Sequence, residues 1–207
     1  MSDNSVEFAS LLCSRLCHDL LSPVGAMNNG LELLADEDDP DMRVRVLELL
    51  ADSARASADR LKFFRLAFGA SGGFGETLDA NEVKAAVEGL VRGNARIELG
   101  WLVATPVIPK TAAKILLNLT LIAFDALVRG GRLDVGVEGG EVVVRAEGLR
   151  IVLDAEIRTV LADAQGAVTS RTSAAWLIRK LAEEEGGSIA LADGEEGVLL
   201  LAATLPS

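Results

Sequence analysis

Two long stretches with a helical hydrophobic period, joined by an acidic turn and closed by a glycine cluster, constrain this chain most. The first runs from about Val6 to Asp36 and the second from about Asp41 to Phe68. Apolar residues recur at three- and four-residue spacing in both, the mark of an amphipathic helix. On the second they include Val46, Leu47, Leu50, Ala54, Leu61 and Phe64. The acidic turn spans Asp36 to Met42, and its Pro40 suits the start of a helix, where a missing N–H costs nothing. Two antiparallel helices cannot bury two apolar stripes well alone. The pattern therefore predicts that residues 1–70 form a helical hairpin that pairs with a second copy into a four-helix bundle.

Gly69 to Glu76 holds four glycines in eight residues and is predicted to be a linker. It is no phosphate loop, since no Gly-Lys-Ser/Thr follows it. From residue 76 to 207 the pattern changes to alternating strands and helices. Short strands are predicted near Thr77 and over Ala95 to Trp101, with helices over Ala80 to Val91 and Pro109 to Val128. Residues 131–148 alternate around Gly139-Gly140, a hairpin signature. Helices over Leu153 to Asp163 and Thr172 to Glu185 precede a second hairpin that turns at Asp193-Gly194. The expectation is an α/β domain, a sheet covered by helices on one face.

Half of the 207 residues are hydrophobic, so a full core is available. With six Phe, two Trp and no Tyr, that core must rest on Leu, Val, Ile and Ala. A formal charge of −11 argues against nucleic acid, whose phosphates need a surplus of Lys and Arg. No run reaches the ~18 apolar residues of a membrane helix, and no basic segment leads into an apolar one at the N-terminus, so neither a membrane span nor a signal peptide is expected. Cys13 and Cys17 lie four apart on one predicted helix, a spacing that rarely suits a disulfide, and a reducing cytoplasm is expected. They read as buried free thiols; a metal site with His18 is the other reading, for which no fourth ligand is evident.

His18 is the single histidine. At roughly 100° per residue, Leu12, Leu16, Leu20, Val24, Met27, Leu31 and Leu34 gather on the far side of the helix from it, with both cysteines beside them. Ser14, Arg15, Ser22, Gly25 and Asn29 share the histidine face. Most are small, which leaves open ground for another folded domain to reach the ring. Asp19 follows at once, a carboxylate able to handle the imidazole proton or steady a charged ring. Pro23 sits one turn on, where a proline removes a backbone hydrogen bond and usually bends the helix.

The run His18-Asp19-Leu20-Leu21-Ser22-Pro23 resembles the phosphoacceptor box of histidine kinases, His-(Glu/Asp)-Leu-x-(Thr/Ser/Asn)-Pro. The wider run from Leu11 to Leu34 is closer still to the ChpT-type histidine phosphotransferases of alphaproteobacteria. The resemblance extends over nearly the whole chain. It implies a dimeric four-helix bundle followed by an α/β sandwich resembling the histidine-kinase ATP-binding (Bergerat) fold.

The residues with which such kinases hold nucleotide are largely missing. In the box Asn-Leu-x-x-Asn-Ala, whose second Asn binds Mg²⁺, this chain keeps Asn118 and Ala123 but has Ile122, which offers no oxygen to a hard cation. In Asp-x-Gly-x-Gly, Ala146 stands at the adenine-reading Asp, Gly148 is kept and Arg150 replaces the second Gly. In the Gly-x-Gly ahead of the last helix stand Thr172 and Ala174, whose Cβ atoms hinder backbone approach to phosphate.

The resemblance thus implies a histidine phosphotransferase that binds no cofactor of its own and carries a phosphoryl group on His18. Asp19 orients the ring or handles its proton. Ser22 positions water or the incoming domain, or is a surface spacer. Arg15, Gly25, Asn29 and Arg171 are candidates for partner contact, although Arg15 reads more readily as an ordinary surface arginine. Implied partners are the receiver domain of a CckA-type hybrid kinase as donor and receivers of the CtrA and CpdR type as acceptors, which supply the Mg²⁺. Two other readings stay open: a non-catalytic dimeric scaffold with an incidental histidine, and an ATP-dependent histidine kinase with unusual boxes.

Overall fold

The computed structural model describes residues 3–69, 76–162, 166–193 and 197–206. Helix α1 (Asp3–Ala35) passes through Pro23 as a single helix and is followed by α2 (Pro40–Phe68). The turn between them is fixed by Asp39, whose side chain accepts the N–H of Asp41 at 2.9 Å, and by Pro40 in the first helical turn. Arg43 donates to the carbonyls of Leu34 (3.1 Å) and Glu37 (2.7 Å), which the end of α1 leaves without helical partners. Gly30 is the point of close approach: a Cβ there would meet Leu50 at 2.9 Å.

The second part opens with β1 (Thr77–Asp79), α3 (Ala80–Arg92) and β2 (Ile97–Trp101). Asp79 caps α3 by accepting the N–H of Asn81 at 2.7 Å. A short strand that the sequence pattern did not predict, β3 (Val107–Pro109), pairs antiparallel with β1. It follows Pro106 and ends on Pro109, and its three residues are too few to show alternation. Then come α4 (Lys110–Ala126), β4 (Gly131–Glu138), β5 (Glu141–Glu147), α5 (Ala155–Ala162), α6 (Ser173–Glu184), β6 (Ser188–Asp193) and β7 (Val198–Thr204).

The main sheet has the order β2-β4-β5-β7-β6, with β2 parallel to β4 and the remaining pairs antiparallel. The β4–β5 hairpin turns at Gly139 (φ 53°) and Gly140 (φ 87°), where two successive positive φ angles demand residues without a Cβ. The second hairpin's expected turn reaches Gly194, outside the described residues, as do residues 70–75 of the expected linker.

Alternate residues of the central strands, among them Leu133, Val135, Val142, Val144, Leu199 and Leu201, are buried in one core with α4 and α6. The opposite face carries Arg132, Asp134 and Arg145 in an ion-pair network open to solvent. The end of α2 enters the same core through Phe63, Phe64, Leu66 and Ala67. Asn118 of α4 ties the two parts together by donating from Nδ2 to the carbonyl of Ala67 at 3.0 Å. The Asn that this chain keeps from the kinase-like box thus caps the end of α2.

The rest of the hairpin is less well covered. Val46 is buried, but Leu21, Leu31, Leu33, Val44, Leu47, Leu49 and Leu61 are exposed in the single chain. Cys13 and Cys17 are free thiols, as expected, but exposed rather than buried. They stand on this uncovered flank of α1, where a lone hairpin has no third helix to lay over them.

Candidate functional site

The N-terminal half of α1 is held against the α/β part by Phe8, whose ring packs on Trp176 of α6 with centroids 4.4 Å apart. Two turns further along, Arg15 reaches across to the last turn of α4. Its guanidinium donates from NH2 to Asp125 Oδ2 at 2.7 Å and from Nε to Asp19 Oδ2 at 3.0 Å. The other oxygen of Asp19, Oδ1, lies 3.0 Å from Nδ1 of His18. Four charged or polar side chains from two parts of the fold therefore form one chain of contacts that ends at the imidazole.

Exposure changes sharply along that chain. The Arg15 and Asp19 side chains are 14% and 12% exposed, whereas His18 is 82% exposed. Burial works to lower the Arg15 pKa, but Asp125 and Asp19 outweigh it and raise it above its ordinary value. Nearly half of the Asp125 side chain is exposed, and the burial of the rest raises its carboxyl pKa from the ordinary value, with Arg15 pulling the other way.

The geometry fixes which nitrogen of His18 is free. A carboxylate accepts and does not donate, so in the neutral ring the tautomer that suits this contact has its proton on Nδ1, facing Asp19, and its lone pair on Nε2. That is the atom a nucleophilic imidazole needs.

His18 opens onto a cleft of about 360 Å³. Ser14, Arg15 and Asp19 form one wall with it, and Asp125, Ser170 and Arg171 form the other. Arg171 is exposed and tethered to Asp154 at 2.9 Å, so the α/β part presents a cation at the rim. Arg15 lines the same cleft, but with Nε bonded to Asp19 and a terminal nitrogen bonded to Asp125 it is an internal link between α1 and α4. Ser22 is exposed one turn beyond, lining a separate groove of about 510 Å³ with Ser53, Asp59 and Arg92. Gly25 has open space around it, with nothing within 4 Å of an added Cβ, and Asn29 is exposed further along α1.

Two residues of the site carry no sequence signal of their own. Asp125 reads as an interruption of an apolar helix, and Ser170 as part of a loop. The one clue to Asp125 is an acid in a helix otherwise buried almost all round, with no basic residue one turn away on the same helix.

The positions corresponding to the nucleotide boxes are filled by packing. Ile122 (3% exposed) and Ala146 (0%) belong to the hydrophobic core. Thr172 is fully buried; its hydroxyl donates to the carbonyl of Ala167 at 2.8 Å and accepts the N–H of Thr169 at 2.9 Å. Ser173 donates to the carbonyl of Ser170 at 2.8 Å. The loop before α6 thus spends its polar groups on itself. Among the described residues no three His, Cys, Asp or Glu side chains converge to hold a metal ion, and no helix is long and apolar enough to cross a membrane.

Comparison with known proteins agrees with this architecture. Residues 80–197, more than half of the chain, match the family described as histidine phosphotransferase C-terminal domain. The chain is 43% identical over 136 residues to the protein phosphotransferase ChpT of Brucella abortus (strain 2308). That match spans 64% of this chain and 61% of the relative, less than two thirds of its length. A solved structure described as a bacterial phosphotransferase superposes over 98% of this chain and 97% of its own, with a TM-score of 0.83 and 31% identity. The likeness therefore takes in the helical hairpin with its histidine as well as the α/β part, and the chain belongs to the histidine phosphotransferase family.

Proposed function

We propose that this chain relays phosphoryl groups between proteins through Nε2 of His18, as a histidine phosphotransferase of a two-component phosphorelay. The observation that carries the reading is an 82% exposed imidazole whose Nδ1 is held 3.0 Å from a shielded carboxylate. Nε2 attacks the phosphorus of an aspartyl phosphate; the N–P bond forms as the P–O bond to the aspartate breaks, and the carboxylate leaves as an anion. The ring becomes a phospho-imidazolium that keeps its proton on Nδ1, and the negative charge of Asp19 offsets the new positive charge. In the second transfer an acceptor carboxylate attacks phosphorus, the N–P bond breaks and the neutral ring returns. No proton has to move in either direction. Such transfer depends on in-line placement and charge neutralisation, which fixed groups supply.

The donor is the receiver domain of a hybrid histidine kinase of the CckA type, and the acceptors are response-regulator receivers of the CtrA and CpdR type. These bring the Mg²⁺ that shields the phosphoryl oxygens, and this chain holds no cofactor. ATP plays no part: burial of Ile122 and Ala146 and the self-bonded loop at Thr172 support that reading. The protein works as a cytoplasmic homodimer in which the exposed leucines of the hairpin, Leu47 and Leu61 among them, close a four-helix bundle.

The test is to mix the purified dimer with a radiolabelled, phosphorylated receiver of a hybrid kinase. Acid-labile, alkali-stable label should transfer to the wild type and be lost in His18→Gln, while the melting temperature stays unchanged because an exposed side chain contributes little to stability. Label that persists on His18→Gln overturns the assignment, and micromolar Mg²⁺-ATP binding would restore the kinase reading.

A further inference from the structure

We infer that Asp125, at the end of α4, is a positioning residue for His18: it holds Arg15 so that Asp19 keeps one oxygen free for the imidazole. This inference rests on the proposed role of His18. Arginine pairs best with a carboxylate through two parallel N–H···O bonds, taking both oxygens at once. Arg15 does not do so with Asp19. One terminal nitrogen is drawn to Asp125 Oδ2 at 2.7 Å, and Asp19 receives a single bond, from Nε to Oδ2. Asp19 Oδ1 is left to accept Nδ1–H of His18.

Asp125 thus divides the two oxygens of Asp19 between Arg15 and His18, without touching either Asp19 or the ring. Without it, Arg15 swings onto Asp19 in the two-bond geometry and competes for Oδ1. The imidazole loses the acceptor that fixes its tautomer, and the proton moves to Nε2, the atom that must attack phosphorus. The α/β part, although its nucleotide positions are filled, then acts on the chemistry from a distance of three side chains. Supporting partners of this kind set ring orientation and protonation in metal-bound histidines by the same means.

Because His18 is the only histidine, tag-free protein labelled with ¹⁵N gives a single imidazole in long-range ¹H–¹⁵N spectra, and the tautomer is read without any phosphate donor. The neutral ring of the wild type should be mainly Nδ1–H. Asp125→Asn should shift it towards Nε2–H and slow phosphorylation of His18 by phosphoramidate, a donor that needs no protein partner, by about tenfold, the effect of losing a supporting partner. Asp125→Glu should recover most of both. In an Arg15→Gln background, Asp125→Asn should change neither by more than about twofold, since the two act as one unit. Wild-type tautomer and rate in Asp125→Asn would overturn the inference, and so would an undiminished effect in the Arg15→Gln background. If wild-type His18 accepts phosphate from no donor, it is the proposed function that fails, and the tautomer measurement still decides the role of Asp125.

Discussion

Asn118 and Ala67 are 51 positions apart, yet the side-chain amide of the first caps the main-chain carbonyl of the second at 3.0 Å. The same amide nitrogen also donates to the carbonyl of Lys114 at 2.8 Å. A buried helix end needs such a partner, since its last carbonyls have none within the helix. The bond sets the junction between hairpin and α/β part at a single depth in a shared core.

Replacing Asn118 by Leu should therefore leave the Ala67 carbonyl unsatisfied away from water and lower stability by about 1–3 kcal/mol. Urea denaturation followed by far-UV circular dichroism measures this. A loss below about 0.5 kcal/mol, the size of an ordinary surface change, would show that the junction does not depend on the cap.

The leucines left exposed on the hairpin give a second expectation. Leu61, 49% exposed in the single chain, lines an apolar groove of about 410 Å³ with Leu12, Leu16, Phe64 and Phe68. Leu61→Asp should weaken self-association by about tenfold or more, as expected of a charge placed in the centre of an apolar contact. Multi-angle light scattering across a dilution series would read the shift, and an unchanged dimer would move the contact elsewhere on the hairpin.

Rebuilding the nucleotide boxes should damage the fold before it restores binding. Ile122→Asn puts an amide into a site that is 3% exposed, at a cost of about 2 kcal/mol or more. Thr172→Gly removes the hydroxyl that the loop before α6 closes upon. Calorimetric titration of the double variant with Mg²⁺-ATP should register no heat of binding, alongside a lowered melting temperature. Binding at micromolar concentration would mean that only two side chains separate this chain from a nucleotide site.

Asp154 supplies a pH expectation. Its carboxyl is held below the ordinary aspartate value, first by the backbone N–H of Glu156 and then by Arg171. A depressed folded-state pKa contributes stability above the unfolded value and loses it as pH falls through the folded one. The Glu156 amide resonance should accordingly titrate with a midpoint below that of an ordinary aspartate, and Arg171→Ala should raise the midpoint only in part. A midpoint at the ordinary value in the wild type would contradict the cap at the start of α5.

Much of this architecture was legible in the residues because it is local. Both hairpin helices follow from three- and four-residue apolar spacing, and the β4–β5 turn follows from Gly139-Gly140, whose positive φ angles few other residues tolerate. His18 was placed on an open face by counting around a helix. What escaped depends on distant parts of the chain. Strand β3 exists because β1 lies beside it. Arg15 became an internal link because α4 ends within reach of it, and nothing near Asp125 in sequence announces an arginine 110 positions away. The cysteines were expected to be buried because their face is apolar, but burial of that face needs helices a single hairpin does not have.

The self-bonded loop at Thr172 has a consequence for how traffic over His18 is governed. A segment whose hydroxyls and amides satisfy one another has its shape set by its own hydrogen bonds. In the proposed relay, the state of the chain is then blind to cellular energy charge. Flow runs downhill between whichever phosphorylated and unphosphorylated partners arrive, and it reverses when their ratio does. In that proposed relay the protein is a two-way conduit, and the timing of the signal belongs to the proteins on either side of it.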